Sequence, residues 1–204
     1  MNVNKFVLSS GDKVRETKVV MLGSSQAGKS SIVNRLIRDM FTDDLTSTVG
    51  TVFFSKTLQV DNTYVKLQIW DTGGSERYRA ITPLYFHDAD AAIIVYDITN
   101  DRSFQEVDLW YRALREKGPE NMVIALAGNK CDLNYRAVTT NTGKMFAEKH
   151  GIPIFMETSA KSGENIYPIF TQMVSHIISD VPKGNKPGQL QPRETNTEDD
   201  EKCC

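Results

Sequence analysis

Apolar residues recur in two alternating rhythms along the chain. Compact runs of strand character occupy residues 17–22, 52–60, 64–70, 91–96, 122–127 and 153–156, with β-branched, aromatic or small apolar side chains bounded by polar turns. Ala91-Ala92-Ile93-Ile94-Val95 is apolar without alternation, as in a strand buried on both faces. Asp61-Asn62-Thr63 separates the second and third runs and reads as a hairpin turn. Helical spacing fills most of the other intervals. Ser31 to Arg38 suits a helix. Ser103 with Glu106 reads as a capping box, and Val107, Trp110 and Leu114 follow on one face. Ile166, Ile169, Phe170, Met173, Val174 and Ile177 form a single stripe, the core side of a last helix.

Strands alternating with helices predict an α/β fold. It is a doubly wound, six-stranded mixed sheet with helices on both faces, five strands parallel and one antiparallel from the hairpin. Ligands of such sheets sit at the carboxyl ends of the strands. One domain is expected over residues 15–180, preceded by a flexible extension, 1–14. From residue 181 the periodicity stops: Pro182, Gly184, Pro187, Gly188 and Pro192 break regular structure, and residues 194–201 are polar and acidic. A disordered tail, 181–204, is the expectation.

Composition narrows the class. A net charge of −2 gives no support for a nucleic-acid surface. No apolar run approaches a membrane span, the first residues show no secretory apolar segment, and Asn2 offers no glycine for myristoylation. Two of the three cysteines are Cys203 and Cys204, which is no disulfide framework. A reducing, cytosolic setting is expected.

The chemistry lies where the strands end. Gly23-Ser24-Ser25-Gln26-Ala27-Gly28-Lys29-Ser30 has the form G-x-x-x-x-G-K-S and follows the first strand. Such a phosphate loop turns several backbone N–H groups toward one anion. Lys29 reaches the outer phosphates, the Ser30 hydroxyl can ligate Mg²⁺, and the helix dipole beginning near Ser31 adds to the attraction. Asp71-Thr72-Gly73-Gly74 follows the third strand. There Asp71 can hold Mg²⁺ through water, and the Gly74 N–H can approach the γ-phosphate. Asn129-Lys130-Cys131-Asp132 follows the fifth strand. The Asp132 carboxylate can accept from guanine N1 and its exocyclic amine, and Lys130 can lie over the base plane. Adenine would leave that carboxylate unpaired, which argues against an ATP-using enzyme. Glu157-Thr158-Ser159-Ala160-Lys161 follows the sixth strand, where the Ala160 N–H can reach guanine O6.

On these motifs the chain resembles the Ras-superfamily GTPases and, within them, the Rabs. Trp70-Asp71-Thr72-x-Gly74-x-Glu76-Arg77-Tyr78 is similar to the Rab second switch, and Thr48-Val49-Gly50-Thr51-Val52-Phe53 to the first. Residues 91–133 and Ser25 resemble the early-endosomal branch, although Tyr85-Phe86-His87 stands where Tyr-Tyr-Arg is usual. The resemblance implies GTP/GDP and Mg²⁺ as ligands, with Thr48 on the metal and sensing the γ-phosphate, and Phe41 packed on the guanine. It implies an effector-facing triad of Phe53, Trp70 and Tyr85, for which core packing is the alternative. The implied partners are effectors, an exchange factor, an activating protein, and the prenylation escort and dissociation-inhibitor proteins, around a monomer. His87, His150 and His176 read as structural or surface residues.

Two departures bear on function. Ser75 occupies the position where the family carries the water-orienting Gln, and Gly73 stands where Ala is usual. A serine hydroxyl is shorter and lacks the coplanar donor and acceptor of an amide. Lys29, Thr48, Gly74 and Ser75 are therefore the expected catalytic set, with low intrinsic turnover. Gln26 in the phosphate loop, or an activating protein acting in trans, could compensate. A GTP-locked, non-hydrolysing effector-binding protein is the rival reading. The terminal Cys203-Cys204 resembles the Rab double-geranylgeranylation site. Because Glu198-Asp199-Asp200-Glu201 adds no attraction to anionic lipid, the two lipids must supply the anchoring. The tail would span roughly 25–30 Å. The expected location is the cytoplasmic face of intracellular, endocytic membranes, cycling with cytosol.

Overall fold

The computed structural model describes residues 14–42, 48, 50–74 and 83–179. Ser75, the rest of the second switch-like segment, the N-terminal extension and the tail with Cys203 and Cys204 lie outside the described residues. The strands are β1 (Val14–Leu22), β2 (Thr51–Val60), β3 (Thr63–Thr72), β4 (Ala91–Asp97), β5 (Val123–Asn129) and β6 (Ile154–Thr158). They form one sheet in the order β2-β3-β1-β4-β5-β6. Only β2 runs antiparallel to its neighbour. Its hairpin closes at Val60↔Thr63 through Asp61 and Asn62, whose φ values of 47° and 61° are those a tight two-residue turn needs.

The described helices are α1 (Lys29–Arg38), α2 (Pro83–Phe86), α3 (Asp101–Gln105), α4 (Val107–Lys117), α5 (Thr140–Lys149) and α6 (Ile166–Ser179). Side chains alternate across the pleat, so β1 feeds two cores. Val19 and Met21 join α1 and α6 on one face, while Val20 and Leu22 join α4 and α5 on the other. Every residue of β4 and β5 is buried, as a strand covered on both faces requires. The last helix buries all six residues of its predicted stripe. Truncating one of them, Phe170→Ala, should cost about 3–5 kcal/mol.

All six strands form where the pattern places them, but they run further. β3 continues to Asp71 and Thr72, β4 to Asp97, β5 to Asn129 and β6 to Thr158. Hydropathy stops at these polar residues; the ladder does not. Met21↔Asp71, Asp97↔Asn129 and Asn129↔Thr158 are its last rungs. The sheet thus delivers buried polar side chains, rather than loop residues, to its carboxyl edge.

The expected Ser103–Glu106 capping box is not formed. Asn100 caps α3, its side-chain oxygen accepting from the Ser103 N–H at 3.3 Å. Ser103 is buried, and its hydroxyl donates to the Asn100 carbonyl at 2.6 Å. Glu106 lies between α3 and α4 and turns to the phosphate loop instead: its carboxylate accepts from the Ser24 hydroxyl at 2.9 Å.

Candidate functional site: a cleft at the carboxyl edge of the sheet

A cleft of about 380 Å³ opens at the carboxyl edge of β1, β3, β5 and β6. Ser25, Gln26, Gly28, Lys29, Ser30, Ser31, Phe41, Thr48, Gly74, Asn129, Lys130, Asp132, Ala160 and Lys161 line it. The fold therefore gathers most of the residues singled out by motif. Thr72 of the Asp71-Thr72-Gly73-Gly74 motif lines it as well, as do Thr42 and Leu133, which carry no motif signal. Three expected residues stand behind the wall. Ala27 packs into the core beside α1, Asp71 is buried at the end of β3, and Ser159 is buried against Asp132.

At one end Gly28 starts α1 with φ 96°, and a Cβ there would strike the Asn129 side chain. No larger residue fits this turn without moving Asn129. Lys29 is 5% exposed, and its ammonium donates to the Gly23 and Ser24 carbonyls, each at 2.8 Å. Burial lowers its pKa to about 8, against the charges of Asp71 and Glu106, which support the ammonium. Asp71 is 2% exposed. Burial raises its pKa, while a hydrogen bond from Ser30 and the Lys29 charge oppose the rise. The Ser30 and Thr48 hydroxyls stand 2.7 Å apart. Asp71 Oδ1 is buried with no hydrogen-bond partner among the described residues. An orphaned carboxylate oxygen is costly unless something ligates it. With two hydroxyls beside it, this oxygen set suits a small hard cation such as Mg²⁺. Gly74 closes this end, and a Cβ on it would sit 2.5 Å from Ser24 and Ser25 backbone atoms and collide with the Lys29 ammonium.

The other end is bonded throughout. Asn129 is 1% exposed; its amide donates to the Ala27 carbonyl at 2.9 Å, and its oxygen accepts from Thr158 Oγ1 and the Ala160 N–H, both at 3.3 Å. One side chain thus ties the phosphate loop to the loop after β6. Lys130, at φ 69°, extends along the wall and pairs with Asp97 at 2.6 Å. Asp132 Oδ1 accepts from the Ser159 hydroxyl at 2.6 Å, which aims the carboxylate across the cleft. The neighbouring Cys131 thiol is pushed up to about 11 by burial and nearby carboxylates, so it is no nucleophile at neutral pH.

Phe53, Trp70 and Tyr85 sit away from the cleft. They form one aromatic cluster on the open face of the hairpin, with Phe53–Trp70 centroids 5.7 Å apart and Trp70–Tyr85 5.9 Å apart. Phe53 is 53% exposed, while Trp70 is half-buried and packs against the core, so the cluster runs from the core to the surface. The Lys18 ammonium lies 4.8 Å from the Trp70 ring and pairs with Asp88. Sequence reasoning missed three features: the Ser24–Glu106 bond, the Lys18 contact with Trp70, and Arg35. Each joins residues far apart in the chain, so no local spacing announces them.

The Ras family model matches residues 18–179. The chain is 42% identical to the Ras-related protein RABF2b of Arabidopsis thaliana, over 96% of this chain and 98% of that protein. It is 43% identical to the human Ras-related protein Rab-22A, over 94% and 99% respectively. It is 40% identical to the Ras-related protein Rab-5A of Dictyostelium discoideum, over 97% of this chain and the whole of that protein.

Proposed function

Because this chain belongs to the Ras family, as a Rab small GTPase of the early-endosomal branch, we propose that its cleft binds GTP and GDP with Mg²⁺ and that the exchange switches the effector surface. The observation that carries the reading is Asp71 Oδ1, buried and unpartnered among the described residues, beside the Ser30–Thr48 hydroxyl pair and Lys29. Ser30, Thr48 and Asp71 would hold the cation. Bound there, it would neutralise phosphate charge. Lys29 and the amides of residues 25–31 take the phosphates. Asp132 and the Ala160 N–H take the guanine edge, Lys130 and Phe41 its faces.

The switch follows from what each group can reach. Thr48 and the Gly74 N–H meet the γ-phosphate, so GTP holds both and GDP releases them. Phe53 and Trp70 are on the strands that join these two points, with Tyr85 packed on Trp70. The aromatic cluster is therefore read as the effector face. Effectors, exchange factors, activating proteins and dissociation inhibitors are partners of Rabs generally, and they fit this arrangement.

Hydrolysis is the step this chain performs poorly. With Ser75 in place of the water-orienting Gln, the attacking water lacks a coplanar donor and acceptor. The same serine favours a second reading, in which the protein remains mostly GTP-bound. Single-turnover GTP hydrolysis, with the nucleotide content of the purified protein, separates the two. A Rab-like intrinsic rate would overturn slow turnover, and a failure to retain any guanine nucleotide would overturn the whole assignment.

Lipids on Cys203 and Cys204 would anchor the protein to endocytic membranes, because the acidic residues before them add no second attraction. Removing both cysteines should leave the protein wholly in the soluble fraction. Persistent membrane fractionation would point to a protein receptor instead.

A further inference from the structure

Arg35 lies in the second half of α1, beyond the residues that line the cleft. Its guanidinium has five N–H donors, and the structure uses four interactions. Nε donates to the Ala160 carbonyl at 2.8 Å and Nη2 to the Lys161 carbonyl at 2.7 Å. Nη1 donates to the Asp39 carbonyl at 3.0 Å and to the Asp39 carboxylate at 3.1 Å. The side chain is 17% exposed, held between the loop after β6 and the end of α1 rather than projecting into solvent.

Each segment it touches has a task in the cleft. Ala160 and Lys161 form the wall that meets the guanine edge. Asp39 ends α1 in a left-handed conformation, φ 53°, and sets the course of the chain toward Phe41, which lines the same wall. The loop after β6 is internally bonded: the Gly163 N–H donates to the Ser159 carbonyl at 2.8 Å, and the Ser162 N–H to the Ser159 hydroxyl at 3.0 Å. From outside that loop, Asn129 grips it on the amide side and Arg35 on the carbonyl side. Neither grip is redundant, because they fix different peptide planes.

We infer that Arg35 is a positioning residue for guanine recognition: its planar fork fixes the Ala160–Lys161 peptide planes and the approach of Phe41, and so sets how long the base is held. The inference rests on the reading of Asp132 and Ala160 as the guanine contacts. A lysine cannot replace the fork, because an ammonium is a point donor on a flexible stem. Asp39 contributes less, since its carboxylate is 89% exposed and its ion pair is screened.

The test uses the full chain loaded with fluorescent GDP or fluorescent IDP. Arg35→Gln and Arg35→Lys should both release GDP about tenfold faster, the loss expected for hydrogen bonds that no longer align the loop. The acceleration produced by chelating Mg²⁺ should be the same factor in wild type and variants, because the phosphate end is untouched. The ratio of GDP to IDP release should also stay constant, since the Asp132 contact with the exocyclic amine is intact. Unchanged release in Arg35→Lys, which keeps stem and charge and is the safer variant for folding, would overturn the inference. So would a chelation factor that changes in step with release, because Arg35 would then act through α1 on the phosphates. Asp132→Asn measured in parallel keeps the two ideas apart. If it leaves guanine preference intact, the base-contact reading fails, whatever Arg35 does.

Discussion

The two ends of the cleft are finished to different degrees. At the base end the polar groups answer one another: Asp132 with Ser159, Lys130 with Asp97, Asn129 with three partners, and Arg35 with Ala160, Lys161 and Asp39. At the phosphate end Lys29 is buried with a lowered pKa, Asp71 is buried with a raised pKa, and one Asp71 oxygen has no partner among the described residues. A complete end is preorganised and binds alike whatever is attached to the base. An incomplete end is stabilised by its ligand and changes with it. On the proposed reading, one end takes the identity of the nucleotide and the other its phosphorylation state.

The largest expected effect breaks the complete end. In Asp132→Asn a pair of acceptors becomes one acceptor and one donor. GTP affinity should fall by about 10⁴, the lower end of the scale on which a misfit polar contact rejects a ligand, and xanthine nucleotides should gain. Competition binding with GTP and XTP reads both, and an unchanged GTP affinity would remove Asp132 from the base site.

Ser30→Asn sharpens the contrast from the other side. It removes a hydroxyl from the oxygen set, so Mg²⁺–GTP should lose about tenfold more affinity than GDP. An equal loss for both nucleotides would mean that this end does not sense phosphorylation state.

Ser75→Gln should raise intrinsic hydrolysis about tenfold, or about 1.4 kcal/mol of barrier. GTP affinity should barely move, because the amide acts on the transition state. Ser75→Ala is the control and should leave the rate as low as it began. A marked drop with Ala would show that the hydroxyl itself positions water, and the GTP-locked reading would then be abandoned.

The smallest effect is a pH dependence confined to the phosphate end. Phosphate binding favours the Lys29 ammonium, so the bound pKa must exceed the free value of about 8. Below the free pKa affinity is flat; above it, binding takes up a proton and weakens. Between pH 7 and pH 8.5 nucleotide affinity should fall about fourfold. Lys29→Met should bind weakly at every pH and lose the dependence. A rise in affinity over this window would contradict the sign.

The same division explains what could be read from the sequence. Strand and core positions were legible because burial on a pleated sheet or a helix leaves a short-range period; the stripe from Ile166 to Ile177 matches residue for residue. The phosphate end was legible because a turn around an anion needs particular residues in succession, Gly28-Lys29-Ser30 above all. The base end was legible in Asn129, Lys130 and Asp132 but not in what supports them. Arg35 meets Ala160 and Lys161 across more than a hundred residues of chain, and an arginine on a helix carries no mark of such a partner. Ser103 and Glu106 had capping-box spacing, yet Asn100 took the cap because Ser103 is drawn inward to the end of β4. A tertiary contact there outweighed a local pattern.

The aromatic cluster gives the molecule an internal lamp. The chain has two tryptophans, and they report on different places. Trp110 is 3% exposed within the core between the sheet and α4. Trp70 lies between Phe53, which meets it edge-on, and the tilted ring of Tyr85, with the Lys18 ammonium against its ring, one residue before Asp71. A cation held against an indole shifts its emission, and the packing geometry sets the yield. A change of ultraviolet fluorescence on loading with GTP that disappears in Trp70→Phe is the signal of Trp70. No dye, label or partner is needed to follow this surface.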